Sequence, residues 1–338
     1  KEIILALDAS ATLATASEST PFDPRIFDYT LFAGLVDQSS DNLAISATKF
    51  TVEGNVHSNG KIGIYGASNE FTLNGNVEAV NHIYAGYQNF MNGTISADTL
   101  SLEGCNLTNA TKNPGAQVPV IDDMALLPLE TLKNKAQASG GYVSTDSITI
   151  SGQTFDIDKP IYTEGNLKIS ANSYSGNGFI AAKGKVSLNG TGVTQHSGGA
   201  LCIYSEYDSN QGGSAISINC ENGAFYGLIY APNGTVTLSG SNFTIYGRIV
   251  AKKISVNSFN TKVVDQAHSE LVEGMKNMFV SRLDEQKEAA KAFIDRFAGT
   301  DTKIGIVNYA KTAIVAMDSY NNALFSLARP ANVAFLKA

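Results

Sequence analysis

Acidic side chains are the first candidates for chemistry in this chain. Glycoside hydrolysis needs two carboxylates facing each other across a bond. Asp156 and Asp158 share one strand face, but beside Lys159-Pro160 they read as a solvated edge. Glu206 and Asp208 lie in a Tyr/Ser/Asn loop whose oxygens suit a Ca²⁺ ion. The remaining acids of the central region, from Glu53 to Glu221, are scattered. His57, His82, His196 and His268 are remote from one another, so each is expected to be solvent-exposed or hydrogen-bonded rather than catalytic. Phosphate loops, nucleotide fingerprints and nucleophile motifs are missing. No catalytic residue and no cofactor is therefore expected, and the chain does not read as an enzyme. Cys105, Cys202 and Cys220 show no metal spacing. Cys202 and Cys220 stand about one repeat apart and read as buried thiols, with a bridge between them as the alternative.

The elements that would carry these groups are short β-branched and aromatic runs separated by Asn-Gly, Gly-Asn and Ser-Gly. Thr51-Val52-Glu53-Gly54-Asn55-Val56 aligns with Thr72-Leu73-Asn74-Gly75-Asn76-Val77, and each continues into a second strand. The period is roughly twenty residues, which is solenoid spacing. Alternate residues are apolar, as a half-buried strand requires. Asn and Gly tolerate the positive φ of tight corners. Two-residue hairpins use the same dipeptide, and only the repeat spacing favours a solenoid over a sandwich. Tyr226 and Tyr246 sit one repeat apart and should stack.

The fold class is therefore mainly β: a right-handed β-solenoid (β-helix) with a C-terminal helical and α/β segment. Residues 1–20 form an N-terminal strand and linker. Residues 21–264 form the solenoid, with a helical excursion at 113–141 whose Met124, Leu127 and Leu132 should pack on the wall. The aromatic stretch from Pro21 to Val36 is expected to cap an open end. From 265 to 338 a long amphipathic helix leads into a strand at Lys303–Tyr309 and another near Thr312–Met317.

Only 16% of the 338 residues are charged and the net charge is −7, which leaves no footprint for nucleic acid. No apolar run is long enough to span a bilayer, so a membrane is expected as a partner only through a removed segment.

The stretch GLIYAPNGTVTLSGSNFTIYGRIVAKKISV, with FDYTLFAG and GNVHSNGKIGIYG upstream, resembles the solenoid region of bacterial pilus-assembly-like and Tad-type surface proteins over residues 27–264. That likeness implies an exported cell-surface solenoid. Separately, LDEQKEAAKAFIDRFAGTDTKIGIVNYAKTA resembles the first helix and following strand of a von Willebrand A domain. Such domains open with a strand and a DxSxS metal motif directly before that helix. None precedes Leu283, but KEIILALDASATL at the N-terminus is similar to the missing strand. The resemblance places Asp8, Ser10 and Thr12 at the motif's metal-binding positions, with Thr12 departing from the family's Ser.

A strand as apolar as Ile3-Ile4-Leu5-Ala6-Leu7 must be buried on both faces. Its home is either its own chain or a neighbouring copy. The leading expectation is the second: Ile3, Ile4, Leu5 and Leu7 of one subunit pair with Ile304, Ile306 and Val307 of the next, building a head-to-tail extracellular filament, a homopolymer. The alternative is a monomeric cell-surface adhesin whose solenoid is a stalk and whose A-like end binds a surface or carbohydrate ligand. A carbohydrate-active β-helix enzyme is the third reading.

Overall fold

A computed structural model describes residues 24–66, 70–121, 124, 126–156, 159–175, 178–191 and 201–265. Outside these it describes the backbone of four strands, Glu2–Leu7, Lys303–Tyr309, Ala313–Val315 and Phe325–Ser326. The chain divides into two compact units, one formed by Lys1–Ser19 with Val280–Ala338 and the other by Thr20–Phe279.

The larger unit is a β-solenoid. Its strands pair in parallel, which decides against the hairpin sandwich that the Asn-Gly dipeptides also allowed. The step between rungs is short where Ile95 meets Lys112 and long where Ile203 meets Ile229, so the repeat drifts while the stacking does not. One inward column runs Ile161, Ile180, Ile203, Ile229 and then, across the middle of the molecule, Ile249, Leu31, Val56 and Val77. These side chains are almost completely shielded from water. Phe50 stacks on Phe71 with centroids 6.1 Å apart, and Phe90, in register with Leu73, meets Phe71 edge-on at the same distance; burying each is worth about 1.5–3 kcal/mol.

The two blocks do not follow one another along the axis as they do in sequence. Leu31–Ala33 pairs with residues 249–251, and residues 43–45 pair with 254–256. The last rung of residues 142–264 thus carries the first rung of residues 31–114. We call these the lower and upper halves, and their junction the seam. The free ends of the stack are Thr99–Glu103 with Asn106–Pro114 above, and Tyr142–Ser144 with Ile148–Asp156 below.

Residues 115–141 therefore connect the two ends of the stack. Ten helical residues, Leu129–Ala138, at ~1.5 Å each and the rest extended at ~3.3 Å reach roughly 70 Å. A column of this many rungs at ~4.8 Å is on the order of 50 Å long, so the strap spans it. The strap lies against an outward row, Tyr162, Tyr204, Tyr230, Phe32, His57 and Glu78. Leu127, Leu132 and Ala136 join that row in a second apolar cluster, with Met124 packed against it, as the sequence led us to expect.

The stretch around Pro24–Asp28 does not cap an end. Ile26 and Phe27 pack on the side of the stack near the seam, against Tyr230 and Val250, and Leu31–Ala33 is itself a rung. The apolar character read as a lid is lateral packing.

Asparagines line the corners. Asn92 and Asn109 have φ of 55° and 54°, and their amides stack from Asn109 through Asn92 to Asn74. A second stack runs from Asn260 through Asn242 to Asn222. At Gly240, with φ of 101°, an added Cβ would stand 2.1 Å from the Cys220 carbonyl oxygen, so the corner excludes any side chain.

Candidate functional site

In the smaller unit Glu2–Leu7 lies parallel to Lys303–Tyr309 of the same chain. The register sets Ile3 beside Ile304, Ile4 beside Gly305, Leu5 beside Ile306, Ala6 beside Val307 and Leu7 beside Asn308. Lys303–Tyr309 also pairs antiparallel with Ala313–Val315 and Phe325–Ser326. The proposed interface residues Ile3, Ile4, Leu5, Leu7, Ile304, Ile306 and Val307 are thus neighbours in one sheet. The view that the leader strand has no home in its own chain does not hold, because the strand brought back by the C-terminal segment supplies one. Asp8, Ser10 and Thr12 lie outside the described residues, as do His196, His268, Asp158 and the long C-terminal helix.

No group of three or more metal-ligating side chains occurs among the described residues. Asp208 accepts from the backbone N–H of Asn210 at 2.9 Å, and capping that short 3₁₀ turn uses its carboxylate. Burial raises the Glu206 carboxyl above its ordinary range, with Lys183 opposing. A cavity of about 340 Å³ opens beside the strap near Val36, Met124, Asn233 and Lys252. Its one ammonium sits 3.9 Å from Asp208, and no pair of acids lines it. Cys202 and Cys220 are free and in different clusters, and burial pushes both thiols up to about 12.

One buried polar node among the described residues was not anticipated from the sequence. His57 is fully buried, stacked on Phe32 at 5.3 Å and close to the Tyr29 ring at 4.9 Å. Asn59, also buried, ties the strap to the upper half. Its Nδ2 donates to the carbonyls of Gly34 at 2.9 Å and Ile121 at 2.7 Å. Its Oδ1 accepts from the Ile121 N–H at 2.9 Å. These backbone partners fix which end of the amide is oxygen. The His57 Nε2, 3.0 Å from the same Oδ1, must therefore carry a hydrogen. Its Nδ1 faces Glu78 Oε2 at 3.6 Å, an ion-pair distance. Tyr29 donates to Glu78 Oε2 at 3.0 Å. His57 first and then Tyr29 hold the Glu78 carboxyl below the usual range against the opposing effect of burial. Burial and the Glu78 charge raise the Tyr29 hydroxyl well above its own.

Residues 106–271 match a domain of unknown function, DUF7305. No curated protein and no solved structure matches the chain.

The DUF7305 match takes in the terminal upper strand, the strap and the whole lower half. The Tyr204 hydroxyl, which accepts from the Leu127 N–H at 3.1 Å, lies inside it. His57, Asn59, Glu78 and Tyr29 lie before it. The buried polar node thus joins a DUF7305 segment, Ile121, to a part of the solenoid outside the match. Column alignment could have found the node. His57 occupies the outward position that Phe32 fills one rung away, and a histidine standing in for a buried aromatic needs partners.

Proposed function

We propose that the chain is a non-enzymatic extracellular protein of the cell surface. In this reading the solenoid, wound right-handed as parallel crossovers are, interrupts a von Willebrand A-like unit that binds a surface or carbohydrate ligand. The observation that carries the reading is the in-register pairing of Glu2–Leu7 with Lys303–Tyr309 across the whole length of the solenoid sequence. It favours a single molecule that completes its own smaller unit, the adhesin, over a leader strand left for a neighbour. Leu7, the residue before Asp8, stands at the C-terminal end of the parallel pair, beside Asn308. Loops at the C-terminal edge of parallel strands are where such sheets bind ligands. In this reading Asp8, Ser10 and Thr12 would help hold a divalent cation that bridges to the ligand.

The test uses the full chain and its Asp8→Ala variant on immobilised cell-surface polysaccharide. Retention should depend on Mg²⁺ or Ca²⁺, fall with EDTA, and fall equally in Asp8→Ala. Retention that ignores both EDTA and the substitution would remove this reading.

A further inference from the structure

Among the described residues, no strand covers either end of the stack. The outer edges of Thr99–Glu103 and Asn106–Pro114 pair only inward, with His82–Gly86 and Asn89–Ala97. Tyr142–Ser144 and Ile148–Asp156 likewise pair only with the rung above them. Apolar side chains reach both ends. Leu100 and Leu107 are only partly buried above, and Ile148 and Ile150 are only partly buried below. An unpaired edge over exposed core residues is a template for further strands unless something blocks it.

The molecule already contains one junction of this kind. At the seam, rungs from opposite ends of the solenoid sequence stack in register. Ile254 lies on Leu43, Val256 on Ile45 and Val263 on Val52. No turn of chain links those rungs in sequence, so the seam is the docking of one solenoid end on another within a single chain.

The geometry points to a second copy of this chain as the partner of each bare end, joined head to tail with the upper end of one copy beneath the lower end of the next. The columns show what would meet. Leu100 and Leu102 end the column that Ile148 and Ile150 begin, so both inward apolar positions are matched across the junction. In the other column the inward position becomes Lys112 above and Tyr142 below. Both are exposed in the single chain. Either one alone would blunt an edge. Stacked, they bring an ammonium to an aromatic ring, an attractive pair. Head-to-tail stacking keeps every strand parallel, as in the rest of the sheet. Head-to-head stacking would make the junction strands antiparallel and set Lys112 near its own copy. A heterologous contact of this kind propagates. It uses neither the leader strand nor the A-like unit, so it stands or falls apart from the proposed ligand binding.

The experiment is sedimentation and negative-stain imaging of the full chain over a range of concentrations. End-joined rods that lengthen with concentration are expected. Leu102→Lys at the upper end and Ile150→Lys at the lower end should each weaken association about tenfold or more. Lys112→Asp and Tyr142→Asp, at exposed positions, repeat the test without touching the core. The decisive arm mixes one upper-end variant with one lower-end variant. Each keeps one good end, so the mixture should form dimers and nothing longer, while neither variant alone associates. A wild-type chain that stays monomeric throughout would overturn the inference. So would a lower-end variant that still dimerises by itself, since upper ends would then be meeting.

Discussion

The strap is held in two different ways by the two halves of one sheet. On the lower half it meets Tyr162, Tyr204 and Tyr230, and Leu132 and Ala136 of its helix are fully buried there. That grip is mainly apolar, with a half-exposed ion pair from Lys133 to Glu164 at 3.2 Å beside it, and it is spread over many atoms and tolerant of small shifts. On the upper half the same outward row turns into His57 and Glu78, and the grip narrows to Asn59. That grip is directional: the bonds of the Asn59 amide must be made together or several buried groups are left bare. A spread contact fails gradually, while a buried polar node fails all at once.

The largest effect should come from Asn59→Ala. It strips partners from the Ile121 N–H and carbonyl, the Gly34 carbonyl and His57 Nε2 together. At ~1–3 kcal/mol for a buried group left unsatisfied, the loss should be about 4 kcal/mol or more. Limited proteolysis should then cut the strap near Ile121 and leave Leu129–Ala138 protected. Uniform protection would show that the node is not what holds the upper part. The counterpart is Leu132→Ala, which empties a fully buried position under the helix. It should cost about 2–4 kcal/mol. The new cutting should appear at the helix and spare Ile121, and cutting at both places would mean that the two grips are coupled.

These two grips were not equally visible in the sequence. Met124, Leu127 and Leu132 announced a face that packs on a wall, because apolar side chains signal burial by type alone. The rungs were visible for the same reason, through alternation in stretches such as Thr51-Val52 and Thr72-Leu73. The order of stacking was not. Ile249 fits under Leu31 as well as any rung fits the next, and nothing local says which will. Chain order was the default, and it put the aromatic stretch from Pro21 on an end rather than beside the seam. The partners of His57 and Asn59 were hidden: a histidine in a strand reads as either exposed or hydrogen-bonded, and an Asn-Gly pair reads as a corner, until the column is known. The leader strand was visible as a run too apolar for solvent, and its partner only through a likeness between segments near opposite ends of the chain.

Acid should separate the two halves of the strap. The folded-state pKa of Glu78 is depressed, so its contribution is fully present above the ordinary carboxylate range and is lost as pH falls through the lowered folded value. Protonation then removes the negative charge that faces His57 Nδ1 and the Tyr29 hydroxyl. Hydrogen exchange at the Ile121 amide should speed up in that acid window, while the Leu127 amide, held by a hydroxyl and no carboxylate, should follow only the general acid trend. Glu78→Gln should show the faster exchange at Ile121 already at neutral pH, with no further step on acidification. An Ile121 amide equally protected on both sides of the window would mean that Asn59 holds the strap without help from the charges behind it.

The smallest effect belongs to the hydrogen bond that Tyr204 makes within the apolar grip. Tyr204 is fully buried, and its hydroxyl accepts from the Leu127 N–H. Tyr204→Phe keeps the ring, its 5.8 Å stack on Tyr230 and nearly all of the buried area, and removes only the acceptor. The Leu127 N–H is left without that partner, which should cost about 1 kcal/mol if the strap can shift enough for water to reach it and up to ~3 kcal/mol if it cannot. A spread apolar contact permits such a shift, so the low end of that range is expected. Thermal unfolding of Tyr204→Phe beside Asn59→Ala therefore tests the contrast directly: a loss at the high end would mean that the lower grip is as directional as the upper one.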